Sequence, residues 1–86
     1  MMQKTEKSGL SLALKLIKVS LDSDSDTNRT IRKGIIKMLR QKMHEVTYID
    51  IAEVPILLNQ IEQIAQHEPQ VADEVKQLIQ KFHPNL

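Results

Sequence analysis

Cysteine is absent from the sequence, which excludes a disulfide framework, a thiolate nucleophile and a cysteine-ligated zinc site. Aromatic residues are almost as scarce. Tyr48 and Phe82 stand alone, so the core has to be built from the plentiful Leu, Ile, Val and Met. Two glycines and three prolines are too few for a many-stranded β fold, which needs a turn signal every ~8–12 residues. Neither sign of charge dominates. Twelve Lys and Arg against eleven Asp and Glu leave +1, too little to draw the whole molecule to nucleic acid or to an anionic membrane. Any such role has to come from a local patch.

A run of ~18 apolar residues, long enough to span a bilayer, is also missing. The start, MMQKTEKSGLSLALKLIKVS, has the basic-then-apolar order of a signal peptide, but Lys15 and Lys18 interrupt it and no small-residue cleavage site follows. The expectation is a soluble, cytoplasmic protein.

What is present is one small domain. The chain has 86 residues, 41% of them apolar and 27% charged, a balance that folds rather than staying disordered. Apolar residues recur with helical spacing in four places. Ser8 is positioned to cap a helix over about 9–21, with Leu10, Ala13, Leu14, Ile17 and Leu21 as its buried stripe and Leu12, Leu16 and Val19 widening it. A second helix over about 28–44, capped by Asp26 or Thr27, carries Ile31, Ile35, Met38, Leu39 and Met43. Gly34 inside it is either a site of close backbone approach or a tolerated weak spot.

The third helix, about 54–66, presents Val54, Leu57, Leu58, Ile61, Ile64 and Ala65. Its start is ambiguous. Asp50 and Glu53 have capping-box spacing while Pro55 belongs in a first turn, so the helix begins near Val54 or a short turn from Ile49 kinks into it. Pro69 opens the fourth helix, about 69–83, where Val71, Ala72, Val75, Leu78, Ile79 and Phe82 give the cleanest periodicity. Residues 1–8 read as a frayed start. Four amphipathic helices with short connections predict an all-α, antiparallel up-down-up-down four-helix bundle.

The run SLDSDSDTNR places Asp22, Asp24 and Asp26 at alternate positions, as a calcium loop begins. An EF-hand loop also needs glycine at position 6 and a bidentate glutamate at 12. Counting from Asp22 gives Thr27 and Lys33, and counting from Asp24 gives Arg29 and Ile35. Both registers fail. The run reads as a connection that caps the next helix with negative charge.

Six of the twelve basic residues fall in the second helix: Arg29, Arg32, Lys33, Lys37, Arg40 and Lys42. Arg29, Lys33, Lys37 and Arg40 share one solvent face, either a plain solvated surface or one that meets phosphates or a charged partner. Nucleic-acid binding is weakened by the lack of aromatic platforms. His44, His67 and His83 lack metal-site spacing, and no catalytic or cofactor-binding motif stands out. The expectation is a binding protein without a cofactor. On the last helix, Phe82 and Leu86 are candidates for an exposed apolar tip, with packing of Phe82 into the core as the favoured account.

Taken together, LIKVSLDSDSD, the cationic RTIRKGIIKMLRQKMHE, the entry VPILLNQIEQI and a short last helix resemble the immunity proteins of pediocin-like bacteriocins over about residues 8–83. The resemblance implies an antiparallel four-helix bundle, agreeing with the periodicity. It further implies a cytosolic protein that protects a bacteriocin producer by acting at the mannose phosphotransferase permease, with the C-terminal half selecting the peptide resisted. Carried onto this chain, that half offers Gln70, Asp73, Glu74, Gln77, Lys81, Phe82, His83 and Leu86. The competing expectation is a small helical adaptor or antitoxin-like module that dimerises through spare apolar surface on the first helix, with a nucleic-acid binder third.

Overall fold

The structure, a computed structural model, describes residues 9–23 and 25–85. They form four helices and one short turn: α1 (Leu10–Ser20), α2 (Asp26–Glu45), a 3₁₀ turn (Ile51–Glu53), α3 (Val54–Ile64) and α4 (Pro69–Phe82). Among the described residues there is no strand.

The helix starts follow local chemistry. Ser8, the expected cap of α1, lies outside the described residues; the capping position is Gly9, whose φ of 84° is a left-handed conformation that suits glycine. For α2 the expected cap is corrected by one or two residues. Ser25 takes that role, its hydroxyl accepting from the Asn28 N–H at 3.1 Å, while the Asn28 side chain donates to the Ser23 carbonyl at 2.9 Å. Asp26 instead occupies the first turn and pairs with Arg29 at 2.7 Å. Both readings of the α3 start hold in part. Asp50 accepts from the Ala52 N–H, setting a 3₁₀ turn that runs into a helix beginning at Val54, with Pro55 in its first turn. Pro69 opens α4 as expected, and the helix ends at Phe82, where the His83 N–H bonds the Ile79 carbonyl.

Burial is unequal among the helices. Helix α1 buries Leu10, Ala13, Leu14 and Ile17; α3 buries Val54, Leu57, Ile61 and Ile64; α4 buries Val71, Ala72, Val75 and Ile79. Helix α2, the longest, buries only Ile36 and Leu39. Ile49, from the connection after it, fills the remaining place in the core. Here the expected stripe is right only in part: Leu39 is buried and Ile35 and Met43 pack against the core, but the phase is shifted. Ile31 and Met38 are 50% and 41% exposed, Ile35 and Met43 are half-buried, and Ile36 is buried in their stead. The cause is Arg32, only 13% exposed, whose guanidinium donates to Glu68 at 3.1 Å and to the Ser20 carbonyl at 3.3 Å. Holding Arg32 inward turns the 32, 36, 39, 43 ridge toward the core.

The helices pack as a ring in the order α1, α2, α4, α3, so α2 and α3, consecutive in sequence, occupy opposite corners. Residues 46–53 make that crossing. Helix direction nevertheless alternates along the chain. Arg32 meets Glu68 and Arg40 meets Glu74, so α2 and α4 run parallel, and Lys42 lies against Gly9 while Arg32 reaches Ser20, so α1 and α2 run antiparallel. His83 Nε2 donates to the Ile49 carbonyl at 2.6 Å, tying the end of α4 to the crossing segment; the carbonyl only accepts, so that nitrogen carries the proton.

Because Arg32 joins three segments from a largely enclosed position, Arg32→Ala is expected to destabilise the protein by about 1–3 kcal/mol, the range for stranding a part-buried partner such as Glu68. Urea unfolding of the two proteins measures it; equal midpoints would remove Arg32 as the reason for the phase of α2.

Candidate functional site

The α2–α4 seam is closed by ion pairs more than by apolar packing, and it leaves a groove. On α2, Lys33, Lys37, Arg40 and His44 recur at i, i+4, i+7 and i+11; on α4, Gln70, Glu74, Gln77 and Lys81 do the same. Parallel helices with matching stripes make two facing walls. The floor is Ile36 and Val71 in the first stretch, a cavity of about 670 Å³, and Met43, Val46 and Leu78 in the second, of about 550 Å³.

Between the two stretches stands one bridge. Arg40 Nε and a terminal nitrogen of Arg40 donate to the two carboxylate oxygens of Glu74 at 2.8 and 3.2 Å. The bidentate bond to Glu74 raises the Arg40 pKa, with the charges of Glu74 and Glu68 adding to it and burial opposing it. At 42% and 31% exposure the pair is screened by solvent, so it contributes roughly 0.5–1 kcal/mol. Its main effect is positional: it divides the groove and holds Arg40 across it.

Charge in the groove is lopsided. Its two carboxylates, Glu68 and Glu74, are each satisfied by an arginine. Lys33, Lys37 and Lys81 have no carboxylate partner among the described residues. An apolar floor with a cationic rim suits an amphipathic segment carrying acidic residues along its flanks.

Several residues singled out from the sequence meet here and others do not. Lys33, Lys37 and Arg40 of the basic helix and Gln70, Glu74, Gln77 and Lys81 of the last helix line the groove. Asp73 lies on the other side of α4, beside Lys76 in a shallow groove against α3. Arg29 pairs with Asp26 in the first turn of α2, and Arg32 is an enclosed clamp rather than part of a solvent face. Phe82 is half-buried against the core with the Lys81 ammonium 5.7 Å from its ring centre, and His83 is held by Ile49, so neither forms a free apolar tip. Leu86 lies outside the described residues.

Sequence reasoning missed Gln41, His44 and Glu68 as groove residues. The spacing of His44 from Lys33, Lys37 and Arg40 carried a signal for it; nothing in sequence pairs Glu68 with a residue 36 positions earlier. The acidic run is a cap and connection as far as it is described, with Ser25 at its centre and Asp24 outside the described residues. Among the described residues no three His, Asp or Glu side chains cluster as a metal site, and no helix is long and apolar enough to cross a membrane. Compared with known proteins, the chain matches no protein-family model, no curated protein and no solved structure.

Proposed function

We propose that this protein is a binding module without chemistry of its own, of the bacteriocin-immunity kind, which protects a cell from inside by engaging the receptor permease and its bound peptide through the α2–α4 groove. The observation that carries the reading is convergence. The basic stripe of α2 and the polar stripe of α4, singled out separately, form the two walls of one apolar-floored groove. The four-helix architecture implied by the resemblance supports it too. The cationic rim favours an acidic segment of the partner.

Deleting α4 is a poor test, because it strips Val71, Val75 and Ile79 from the core. Point substitutions on exposed lysines are cleaner. Producing the protein in a pediocin-sensitive lactic acid bacterium is expected to raise survival against one or more pediocin-like peptides by at least tenfold. Lys33→Glu with Lys37→Glu is expected to return survival to the level of cells lacking the protein, with folding unchanged by circular dichroism. No protection by the intact protein across the panel sinks the immunity reading; protection untouched by the double substitution removes the groove from it.

A second reading draws on a different surface. The exposed stripe of Leu12, Leu16 and Val19 is what a homodimerising adaptor would use, and a mass that rises with concentration in sedimentation would favour it.

A further inference from the structure

Among the described residues, five of the eight exposed large apolar side chains belong to α1 and α2, and the other three, Tyr48, Ile51 and Ile56, belong to the crossing segment and α3. Leu12, Leu16 and Val19 of α1 and Ile31 and Met38 of α2 are between 39% and 63% exposed. On α1 they fall at i, i+4 and i+7, with Val19 at the rim of the groove between α1 and α3; on α2, Ile31 and Met38 are i and i+7 with Gly34 between them. The antiparallel register set by Gly9 against Lys42 and Ser20 against Arg32 puts Val19 level with Ile31, Leu16 with Gly34 and Ile35, and Leu12 with Met38. The result is a continuous apolar strip along the outer face of the α1–α2 pair, larger than scattered exposed side chains explain.

Exposed lysines border both long edges. Lys15 lies beside Leu12 and Val19 on the α1 edge, and Lys37 lies beyond Gly34 on the α2 edge. Among the described residues, carboxylates occur only at the ends: Asp22 and the Asp26–Arg29 pair past Val19 and Ile31, and Glu45 past Met38. This arrangement bears on what covers the face. If a second copy did so through a twofold axis in the plane of contact, a lysine edge would meet a lysine edge whichever way that axis ran. Gly34 offers no socket within this chain, since a Cβ added there meets nothing within 4 Å. Lysines flanking an exposed apolar strip match the polar rim of a surface that sits at the level of lipid headgroups, with apolar side chains below and ammonium groups reaching anionic phosphates.

We propose that the outer face of α1 and α2 docks on an anionic lipid surface, with Leu12, Leu16, Val19, Ile31 and Met38 entering the interface and Lys15 and Lys37 engaging phosphate groups. The face shares Lys37 with the wall of the α2–α4 groove, but its apolar strip lies outside that groove and is tested through Leu12 and Val19, so it stands or falls independently of the immunity reading. Docking this way lays α1 and α2 flat on the membrane and leaves α3 facing away from it.

Flotation with unilamellar vesicles tests this on the intact protein. Binding is expected to vesicles of phosphatidylcholine mixed with phosphatidylglycerol at roughly 50 mM salt, falling several-fold at roughly 500 mM as the lysine attraction is screened. At least a tenfold weaker partition onto phosphatidylcholine alone is expected. Leu12→Gln with Val19→Gln, both at well-exposed positions, is expected to reduce binding at least tenfold while helicity by circular dichroism is retained. Gly34→Ala is expected to bind like the parent, because a lipid surface needs no close backbone approach. The proposal is overturned if the intact protein stays unbound at low salt, if the glutamine variant binds equally, or if both vesicle types bind alike. A loss caused by Gly34→Ala assigns the face to a docked helix, and a concentration-dependent dimer abolished by the glutamine variant assigns it to a second copy; either result also overturns it.

Discussion

Leu39→Ala is expected to lower the unfolding free energy by about 3–5 kcal/mol, the upper part of the range for large-to-alanine changes in a core. Leu39 is fully buried, and with Ile36 it is one of only two buried side chains in a 20-residue helix, with Ile35 and Met43 packing half-buried against the core. The other three helices each have four buried apolar residues to share such a loss. The neighbours of Leu39 are held by the Arg32 and Arg40 ion pairs, which limits how far α2 can collapse into the space left behind. For a domain of this size each kcal/mol moves the melting midpoint by roughly 4–8 °C, so a decrease of roughly 12 °C or more is expected. Paired with Leu57→Ala in α3, urea unfolding gives the comparison that matters. A cost under about 1 kcal/mol for Leu39→Ala, against a full cost for Leu57→Ala, would mean that α2 is not seated as described.

The contrast between α2 and α4 shows what was legible in the sequence. On α4 the apolar residues occupy one arc, so spacing alone assigns Val71, Val75 and Ile79 to the core, and all three are buried. On α2 they spread over one broad arc, from Met38 and Ile31 at one edge through Ile35 and Leu39 to Met43 and Ile36 at the other. Hydrophobicity alone does not say which part of that arc faces the core. The decision was made by Arg32, whose partners Glu68 and Ser20 come from α4 and α1, a contact that periodicity within α2 does not encode. Ile31 and Met38, displaced from the core by that choice, form the α2 part of the outer strip.

The groove was hidden for a related reason. Short connections favour placing consecutive helices side by side, which would set α2 against α3 and α4 against α1. The extended segment from Val46 to Asp50, with Ile49 inserted in the core and held to His83, instead carries the chain across the bundle. That places α2 beside α4. Each wall of the groove was therefore visible in the sequence as a polar stripe, while their apposition rests on long-range contacts: buried Ile49 with its His83 bond, and the Arg32–Glu68 and Arg40–Glu74 pairs.

Exchanging the two charges of the central bridge separates recognition from stability. Arg40→Glu alone puts a third carboxylate near Glu74 and Glu68, both of which act on position 40, and is expected to destabilise by about 1 kcal/mol once solvent screening is allowed for. Adding Glu74→Arg restores a bridge of opposite polarity and leaves the net charge of the groove unchanged, so most of that loss is expected to return; the double-mutant cycle measures the coupling. Protection is expected to behave differently. If a partner carboxylate is read by the guanidinium as α2 presents it, survival falls at least tenfold in Arg40→Glu and stays low in the exchanged protein although that protein is again stable. Recovery of protection together with stability would reduce Arg40 to a strut between two helices and leave recognition to Lys33 and Lys37. Stability regained without protection would place the partner's acidic contact at the middle of the groove, where the bridge divides it, and would imply that binding competes with Glu74 for the same guanidinium.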